Sequence, residues 1–384
     1  MPPMRLTYLF LLLAILAPRA GGAEPQFTAV FVPKNDGFAS IRIPSVVVTK
    51  KGTVLAFAEG RAANSDQAKN KIIFKRSADA GRTFTRVQTL ADDGDNSLNN
   101  PCAVQEQQSG RVFLMYQRIP AHLKERSKAI ATGFDGDDIY RNFLICSDDD
   151  GVSWSKPLDV TRTTKHATGA TTIASGPGIG IQLTRGPHAG RIIFPFNEGP
   201  YGVWNIYAVY SDDRGKTWAA GENAPGAMIG KRSQVNEVQM VELSDGLVML
   251  NSRQFAGEKL RKTAISNDGG VTWSKIADVP ELADPSCMAS ILRYSFAGEG
   301  SQSIILYSDP DSTKRNNGTI HISYDDGRTW PVKRVLRPGS FAYSVLTRFA
   351  DGTIGCLFEE NGQITFAQFT LDWITGGNGP AVKK

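Results

Sequence analysis

Acidic side chains recur along this chain in five short segments of one pattern. Each segment reads S-x-D-x-G-x-[ST]-[WF], at residues 77–84, 147–154, 211–218, 266–273 and 323–330. Clustered aspartates could bind calcium, but a calcium loop of the EF-hand type needs a longer ligand series that ends in a glutamate. The pattern suits a tight turn instead, because aspartate accepts backbone N–H groups and glycine takes a positive φ. We therefore interpret the five segments as turns rather than metal sites.

The cysteines and histidines show no spacing typical of a metal or redox centre. There is no C-x-x-C, and the cysteines are widely separated in or beside apolar runs, at Cys102, Cys146, Cys287 and Cys356. If the protein is exported, they could pair in any of three ways or remain buried free thiols, and both alternatives stay open. The isolated histidines are His122, His166, His188 and His321. We predict neither a metal nor a cofactor.

The elements that position these segments are predicted to be β-strands. Beyond residue 24, short runs rich in Val, Ile, Phe and Tyr alternate with Gly, Asp, Asn and Ser. The clearest runs occupy residues 42–49, 54–58, 71–77, 111–117, 142–146, 191–196, 237–243, 304–307 and 353–358. No stretch keeps a helical periodicity, although residues 122–131 could form a helical turn.

The acidic segments also reveal an internal repeat. Their first residues lie between 55 and 70 positions apart, and each follows a strand-like run. One such turn per repeat of this length is typical of a four-stranded β-propeller blade. Five segments imply at least five blades, and since a blade can lose its segment we predict six. The expected fold is an all-β, six-bladed β-propeller in a single domain, with each segment's aromatic residue tucked under a neighbouring strand.

The first 23 residues are typical of a signal peptide. Arg5 precedes an apolar run at residues 6–17, and small residues then lead to a cleavage position after Ala23. A retained membrane anchor is less favoured, because about 20 apolar residues are needed to span a bilayer. We expect residues 24–384 to form the mature domain, secreted or periplasmic, without stable membrane insertion. The net charge of +5 is too scattered to indicate a nucleic-acid partner.

Two features of the sequence resemble the sialidase (neuraminidase) superfamily. The acidic segments resemble its Asp boxes, and residues 41–44 (IRIP) resemble the arginine motif that opens its catalytic domain, with Ile41 where an aromatic residue is usual. The similarity runs from about residue 28 to residue 373 and includes the segments at 176–183 and 186–191. It implies an exo-α-sialidase that removes terminal sialic acid from glycoproteins, gangliosides and sialyl-oligosaccharides, without a metal.

The resemblance assigns the carboxylate of sialic acid to three arginines. Arginine suits this task because its planar, permanently charged fork matches a carboxylate. Matched motif by motif, the three are Arg42, Arg253 and Arg315. Lys314 is the alternative to Arg315 if the alignment slips by one position.

Three further positions match substrate-binding residues of the family. Arg61 would lie near the 4-position of the sugar, and Glu359 would orient the first arginine. Asn100 sits where some relatives carry Asp and others Asn, and its alternative is a simple turn residue. The neighbouring Glu360 is expected to be solvated.

The resemblance also implies a tyrosine nucleophile. A carboxylate nucleophile would be repelled by the substrate's own carboxylate, and sialidases depart from the two-carboxylate rule of glycosidases. Tyr343 matches the nucleophile, and Glu237 matches the base that it needs because free tyrosine titrates near about pH 10. Asp66 matches the acid/base that protonates the leaving oxygen. The implied double displacement retains the configuration of the anomeric carbon.

Two other functions stay open at this stage. A trans-sialidase would use the same catalytic residues, with a sugar replacing water, and rim aromatics such as Tyr201 and Trp204 would favour it. A non-catalytic propeller that only binds sialoglycans would be expected to lack Tyr343, Glu237 or Asp66. All three are present in the chain.

Overall fold

The expected architecture is confirmed by the computed structural model, which describes residues 22–298 and 301–377. Within these residues the chain forms six blades of a β-propeller, a two-stranded hairpin and three short helices. Each blade begins with its innermost strand, and these first strands contact one another between neighbouring blades, except that the first strand of blade 4 meets the second strand of blade 3. The predicted signal peptide lies outside the described residues, apart from residues 22 and 23. No helix in the described part is long and apolar enough to cross a membrane.

The blades follow one another along the chain. Blade 1 contains Ser40–Val48, Val54–Arg61, Lys71–Ser77 and Gln88–Ala91. Blade 2 contains Ser97–Gln105, Val112–Ile119, Arg141–Ser147 and Leu158–Asp159, with Gly178–Ile179 added in parallel beside its first strand. Blade 3 contains Ile173–Ser175, Ile192–Glu198, Asn205–Ser211 and Ala219–Ala220, with Ile181–Gln182 added beside its second strand.

The second half of the chain is more regular. Blade 4 contains Val235–Glu242, Val248–Gln254, Leu260–Ser266 and Ala277–Ala283. Blade 5 contains Ser290–Ser295, Ile304–Pro310, Asn316–Ser323 and Val332–Ser340. Blade 6 contains Ser344–Arg348, Ile354–Glu360, Gln363–Phe369 and Gln26–Phe31. The hairpin is Met228–Ile229 with Arg232–Ser233, and the helices are Pro33–Asp36, Thr161–Thr164 and Leu371–Thr375.

Blade 6 joins the two ends of the described chain. Its outer strand, Gln26–Phe31, pairs antiparallel with Gln363–Phe369. A closed ring leaves only short, protected strand edges, so the pairing stabilises the propeller as a whole. Blade 6 is also the blade without an acidic segment, which agrees with the prediction that one segment had been lost.

The acidic segments form the same hydrogen-bonded turn between the third and fourth strands of blades 1 to 5. In blade 1 the Ser77 hydroxyl accepts the Gly81 N–H at 2.8 Å, and the Asp79 carboxylate accepts the Thr83 N–H at 2.9 Å. The equivalent bonds recur in the other four segments at 2.7–2.9 Å. The carboxylates are occupied by their own turns, which confirms the turn interpretation.

The aromatic residue of a segment packs on the preceding blade. Trp154 of blade 2 lies edge-on to Phe57 and Phe74 of blade 1, with ring centroids 5.5 and 5.6 Å apart. Trp218 of blade 3 packs similarly on Phe113 of blade 2 at 5.7 Å. In blades 2 and 3 the turn therefore fastens its blade to the preceding one by burying aromatic surface.

The structure tests two local predictions, one on residues 122–131 and one on the cysteines. Residues 122–131 form hydrogen-bonded turns rather than a helix, so the suggested helical turn was wrong. The cysteines are free thiols rather than disulfides: Cys102, Cys287 and Cys356 are buried and Cys146 is half-buried.

Candidate active site

Three predicted site residues lie at bulges in first strands. Relative to the neighbouring strand, one extra residue is inserted after Arg42 in blade 1, after Asn99 in blade 2 and after Val235 in blade 4. These bulges contain or adjoin Arg42, Asn100 and Glu237. A bulge bends the strand locally and changes the aim of its side chains, and bulges are common beside active sites. The same kind of bulge thus occurs three times, each time beside a different predicted site residue.

One of these bulges is strained. Ile43 has a φ of 62°, a conformation that a β-branched residue adopts only when its surroundings impose it. The Glu359 carboxylate accepts the Ile43 N–H at 2.8 Å and, through its other oxygen, the Arg42 Nη2 at 2.8 Å. Glu359 therefore holds both the strained backbone and the guanidinium group, and these are the contacts that its predicted orienting role requires.

The predicted residues meet in one cavity of about 560 Å³ at the end of the propeller where the first strands begin. Eight of the nine line it directly: Arg42, Arg61, Asp66, Asn100, Glu237, Arg253, Arg315 and Tyr343. The ninth, Glu359, lies behind Arg42. Lys314 is absent from the lining, so the geometry favours Arg315 over this alternative.

Tyr343 is buried beneath three guanidinium groups. Its hydroxyl donates to Glu237 Oε1, while Arg253 Nη1 donates to Glu237 Oε2 at 2.7 Å and to the Tyr343 oxygen at 2.8 Å. The guanidinium carbons of Arg42 and Arg315 lie 5.1 and 5.2 Å from the centre of its ring. Burial, followed by the Glu237 charge, raises the pKa of Tyr343 above its ordinary value, although the three arginines oppose this. The phenol is therefore neutral at rest, with a base already in contact.

Asp66 stands at the exposed edge of the cavity. Its side chain is 79% exposed, and Arg61 Nη1 donates to it at 2.9 Å. Arg61 itself is almost fully buried and is held from behind by Glu59, which accepts from its Nε and Nη2 at 2.9 and 2.6 Å. Arg61 thereby holds the exposed carboxylate of Asp66 beside the cavity, where it remains accessible to a ligand.

A comparison with known proteins places this arrangement in a family. The sequence profile of the BNR repeat-like domain matches residues 43–356. The chain belongs to the BNR-repeat sialidase family. It is 35% identical over 377 residues to the sialidase of Micromonospora viridifaciens, a match that covers 94% of this chain and 56% of the relative. The chain thus spans little more than half the length of that relative.

Solved structures share the same architecture. The Hadza microbial sialidase Hz136 superposes with a TM-score of 0.81 at 27% identity, over 91% of this chain and 69% of that one. The leech intramolecular trans-sialidase superposes with a TM-score of 0.77 at 20% identity, over 91% and 70% respectively. At that identity the second likeness shows the fold alone.

One prediction for this sialidase-family site was wrong. Glu360 was expected to be solvated, but it is 3% exposed, and its carboxylate accepts from Arg337 Nε at 2.5 Å. Neighbouring residues of a strand point to opposite faces, so Glu359 meets Arg42 of blade 1 while Glu360 meets Arg337 of blade 5. A charge buried in this way is retained because it is paired.

Glu59 is a site residue that motif matching missed. It is fully buried, and besides Arg61 it accepts the Asn100 N–H at 2.7 Å, so it links the bulge of blade 2 to blade 1. Burial raises the pKa of Glu59, and Arg61 opposes the shift. Its position in the sequence could have indicated this role. Glu59 lies two residues before Arg61 in one strand, and alternate residues of a strand point to the same face.

The rim aromatics are less open than expected. Trp204 lines the cavity but is 3% exposed, and Tyr201 packs edge-on against it with centroids 4.9 Å apart. Arg126 covers the Tyr201 ring at 4.4 Å and donates to its hydroxyl at 2.5 Å. Residues 124–126, which also line the cavity, had no sequence signal. In residues 22–298 and 301–377 no group of three His, Cys, Asp or Glu side chains is placed to share a metal ion.

Proposed function

We propose that this protein is an exo-α-sialidase that hydrolyses terminal α-linked sialic acids with retention of configuration. The observation that carries the proposal is the contact of Tyr343 with both Glu237 and Arg253, beside the guanidinium groups of Arg42 and Arg315. A buried neutral nucleophile next to a base and a cluster of cations suits an anionic sugar.

Binding follows from charge. Sialic acid carries a carboxylate on its anomeric carbon, and Arg42, Arg253 and Arg315 present guanidinium groups into one cavity. Charge-assisted hydrogen bonds from planar forks both hold the carboxylate and fix its direction. The anomeric carbon of the bound sugar would then be presented to the tyrosine oxygen.

The first chemical step forms a bond between Tyr343 and the anomeric carbon. As the phenol oxygen attacks, its proton passes to Glu237, which becomes neutral; Arg253 donates to both groups and stabilises the partial negative charge on the phenol oxygen during the transfer. Asp66 in its acid form gives a proton to the glycosidic oxygen, so the leaving sugar departs as an alcohol. Its exposed position suits a group that must reach the bulky remainder of a glycan.

The second step restores the enzyme. Asp66, now a carboxylate, removes a proton from water, which attacks the anomeric carbon. The bond to Tyr343 breaks, and the phenol oxygen recovers its proton from Glu237. Two inversions give net retention.

The substrates that we propose are sialylated glycoproteins, gangliosides and sialyl-oligosaccharides, met outside the cytoplasm. Export rests on the signal-peptide pattern of residues 1–23. Amino-terminal sequencing of exported protein should begin at Glu24, and an intact Met1 on cytoplasmic protein would contradict export.

The decisive experiment follows hydrolysis of α2,3- and α2,6-linked sialyllactose by proton NMR. The proposal expects free sialic acid to appear first as the α-anomer, with release by Tyr343→Phe slowed by orders of magnitude. First release of the β-anomer, or release by the variant at the wild-type rate, would contradict the tyrosyl intermediate.

A trans-sialidase is the second candidate, because the aromatic pair Tyr201 and Trp204 does line the cavity. Arg126 covers the Tyr201 ring, so this ring is less accessible as a surface on which an acceptor sugar could stack. Excess lactose acceptor distinguishes the two: a hydrolase continues to release free sialic acid, whereas a trans-sialidase makes a new sialoside.

A further inference from the structure

Arg315 is oriented differently from the other two arginines of the cavity. Arg42 and Arg253 each donate to a carboxylate, whereas Arg315 Nη2 donates to the carbonyl oxygen of Ser286 at 2.8 Å. Among the residues that the structure describes, Arg315 forms no ion pair. A carbonyl directs a guanidinium group without cancelling its charge, so the position of Ser286 determines where this charge stands.

Ser286 belongs to a short loop, residues 284–287, between blades 4 and 5. Its φ of 60° is left-handed, and its hydroxyl accepts from Gln254 Nε2 at 2.9 Å. Gln254 directly follows Arg253 in its strand. The loop thus contacts the strand that carries one cavity arginine and the side chain of the other.

A buried carboxylate holds this loop. Asp284 is 1% exposed, and its Oδ1 accepts the Cys287 N–H at 3.0 Å, which closes the loop. Its Oδ2 accepts the Gln254 N–H at 2.6 Å, next to Arg253. Such a carboxylate is stable in the interior only when its hydrogen bonds and its charge are matched.

Arg261 supplies the matching charge from the third strand of blade 4. It is 1% exposed, and its Nη1 donates to Asp284 Oδ2 at 3.2 Å and to the Cys287 carbonyl at 2.9 Å. Its Nε donates to Asn251 Oδ1 at 2.8 Å, on the same strand as Arg253. One guanidinium group therefore joins the strand of Arg253 to both ends of the loop that directs Arg315.

We propose that Arg261 and Asp284 are positioning residues that set the spacing between the guanidinium groups of Arg253 and Arg315, and so control how tightly the protein binds the carboxylate of its substrate. The inference rests on the proposed function, since it takes the substrate to be a carboxylated sugar. Neither residue lines the cavity.

The test measures binding of a planar, unsaturated sialic acid mimic and of its methyl ester by calorimetry. In the wild type the acid should bind far more tightly than the ester. Arg261→Lys removes the fork that spans the loop, and the acid-to-ester affinity ratio should fall by about tenfold or more, with ester affinity little changed. Ser286→Ala removes only the hydroxyl contact with Gln254, and the ratio should fall by about threefold.

Arg191→Lys is the matched control. Arg191 is also buried, pairs with Asp212 at 2.7 Å and donates to the Gly269 carbonyl at 3.1 Å, but it lies outside the cavity lining. It should lose stability without any change in the affinity ratio. An equal fall in this control would show that the effect is general loosening, and would overturn the proposal.

The remaining outcomes separate the two hypotheses. A wild type that binds acid and ester equally and releases no sialic acid would refute the proposed function itself. A strong wild-type preference that is unchanged in Arg261→Lys would refute only the positioning role. If Arg261→Lys does not fold, Ser286→Ala decides, and an unchanged ratio there overturns the proposal.

Discussion

The two ends of the propeller are built in opposite ways. At one end five turns repeat the same bonds between a serine, an aspartate and a glycine, and the tryptophans of the turns in blades 2 and 3 pack on the preceding blade. At the other end the cavity residues come from different blades, and their contacts join strands and loops that are distant in the sequence. Both ends are rich in carboxylates, but the aspartates of the turns are occupied within their own segments.

This difference separates stability from chemistry. A repeated local turn can stabilise a blade independently of the rest of the ring, because its hydrogen bonds close within the turn. A site that must present cations, a nucleophile and a base in one place needs the whole ring to be closed. Damage at the turn end should therefore reduce stability and leave the site intact, while damage at the cavity end should do the reverse.

The largest expected effect is at the cavity. Tyr343→Phe removes the nucleophilic oxygen, and turnover of sialyllactose should fall by about a thousandfold or more. Affinity for a planar sialic acid mimic should change by only about threefold, because the arginines remain in place. Steady-state kinetics and calorimetry measure the two quantities. Near wild-type turnover of the variant would contradict the assignment of Tyr343 as the nucleophile.

The turn end offers the converse experiment. Trp218→Ala empties the contact with Phe113 between blades 2 and 3, and should lower the free energy of unfolding by about 3–5 kcal/mol. Turnover per folded molecule should stay at the wild-type value. Thermal unfolding combined with active-site titration tests both statements, and an unchanged melting temperature would contradict the buttressing role.

Arg315→Ala tests the cavity with a smaller effect. Loss of one charge-assisted contact with the carboxylate should weaken mimic binding by about 1.5–3 kcal/mol. The melting temperature should hardly move, because this side chain is exposed. Calorimetry measures the loss of mimic affinity in Arg315→Ala, and Lys314→Ala is the control variant. A larger loss in the lysine variant would reverse the assignment.

The smallest expected effect concerns acid stability of the turns. The backbone N–H of Thr83 and neighbouring hydroxyls lower the pKa of Asp79 to about 2, and contacts with Ser153 lower the pKa of Asp149 to about 2. Because the folded pKa values are depressed, this stabilisation is complete above the unfolded value of about 4 and is lost as the pH falls toward about 2. The variant with Asp79→Asn and Asp149→Asn should show a shallower fall of melting temperature over that window. A slope equal to that of the wild type would mean that these carboxylates do not contribute.

The fold was predictable because its signals are local. The run predicted at residues 71–77 is the strand Lys71–Ser77, and the one predicted at 54–58 extends as Val54–Arg61. The closing strand Gln26–Phe31 was not among the predicted runs, and its pairing could not be predicted because its partner lies at the opposite end of the chain. Pairing over that distance depends on the ring that the other blades form.

The site was predictable only where a motif carried it. Glu59, Asp284 and Arg261 were missed because their importance lies in contacts between strands and loops, which a motif does not record. Glu360 was misjudged for the same reason, since its partner Arg337 comes from the preceding blade. These residues are buried charges, and only the surrounding structure shows whether a charge has a partner.

By itself the sequence determined the turns and most of the strands, and the repeat of the turns indicated six blades, because these features depend on patterns of a few residues that recur along the chain. Only the tertiary structure decided which charges became a site. Arg42, Arg253, Arg315 and Tyr343 belong to four different blades, and the distances between them exist only when the ring is complete. Electrostatic and hydrogen-bonding effects fall off over a few ångströms, so they depend on that closure rather than on neighbours in the sequence.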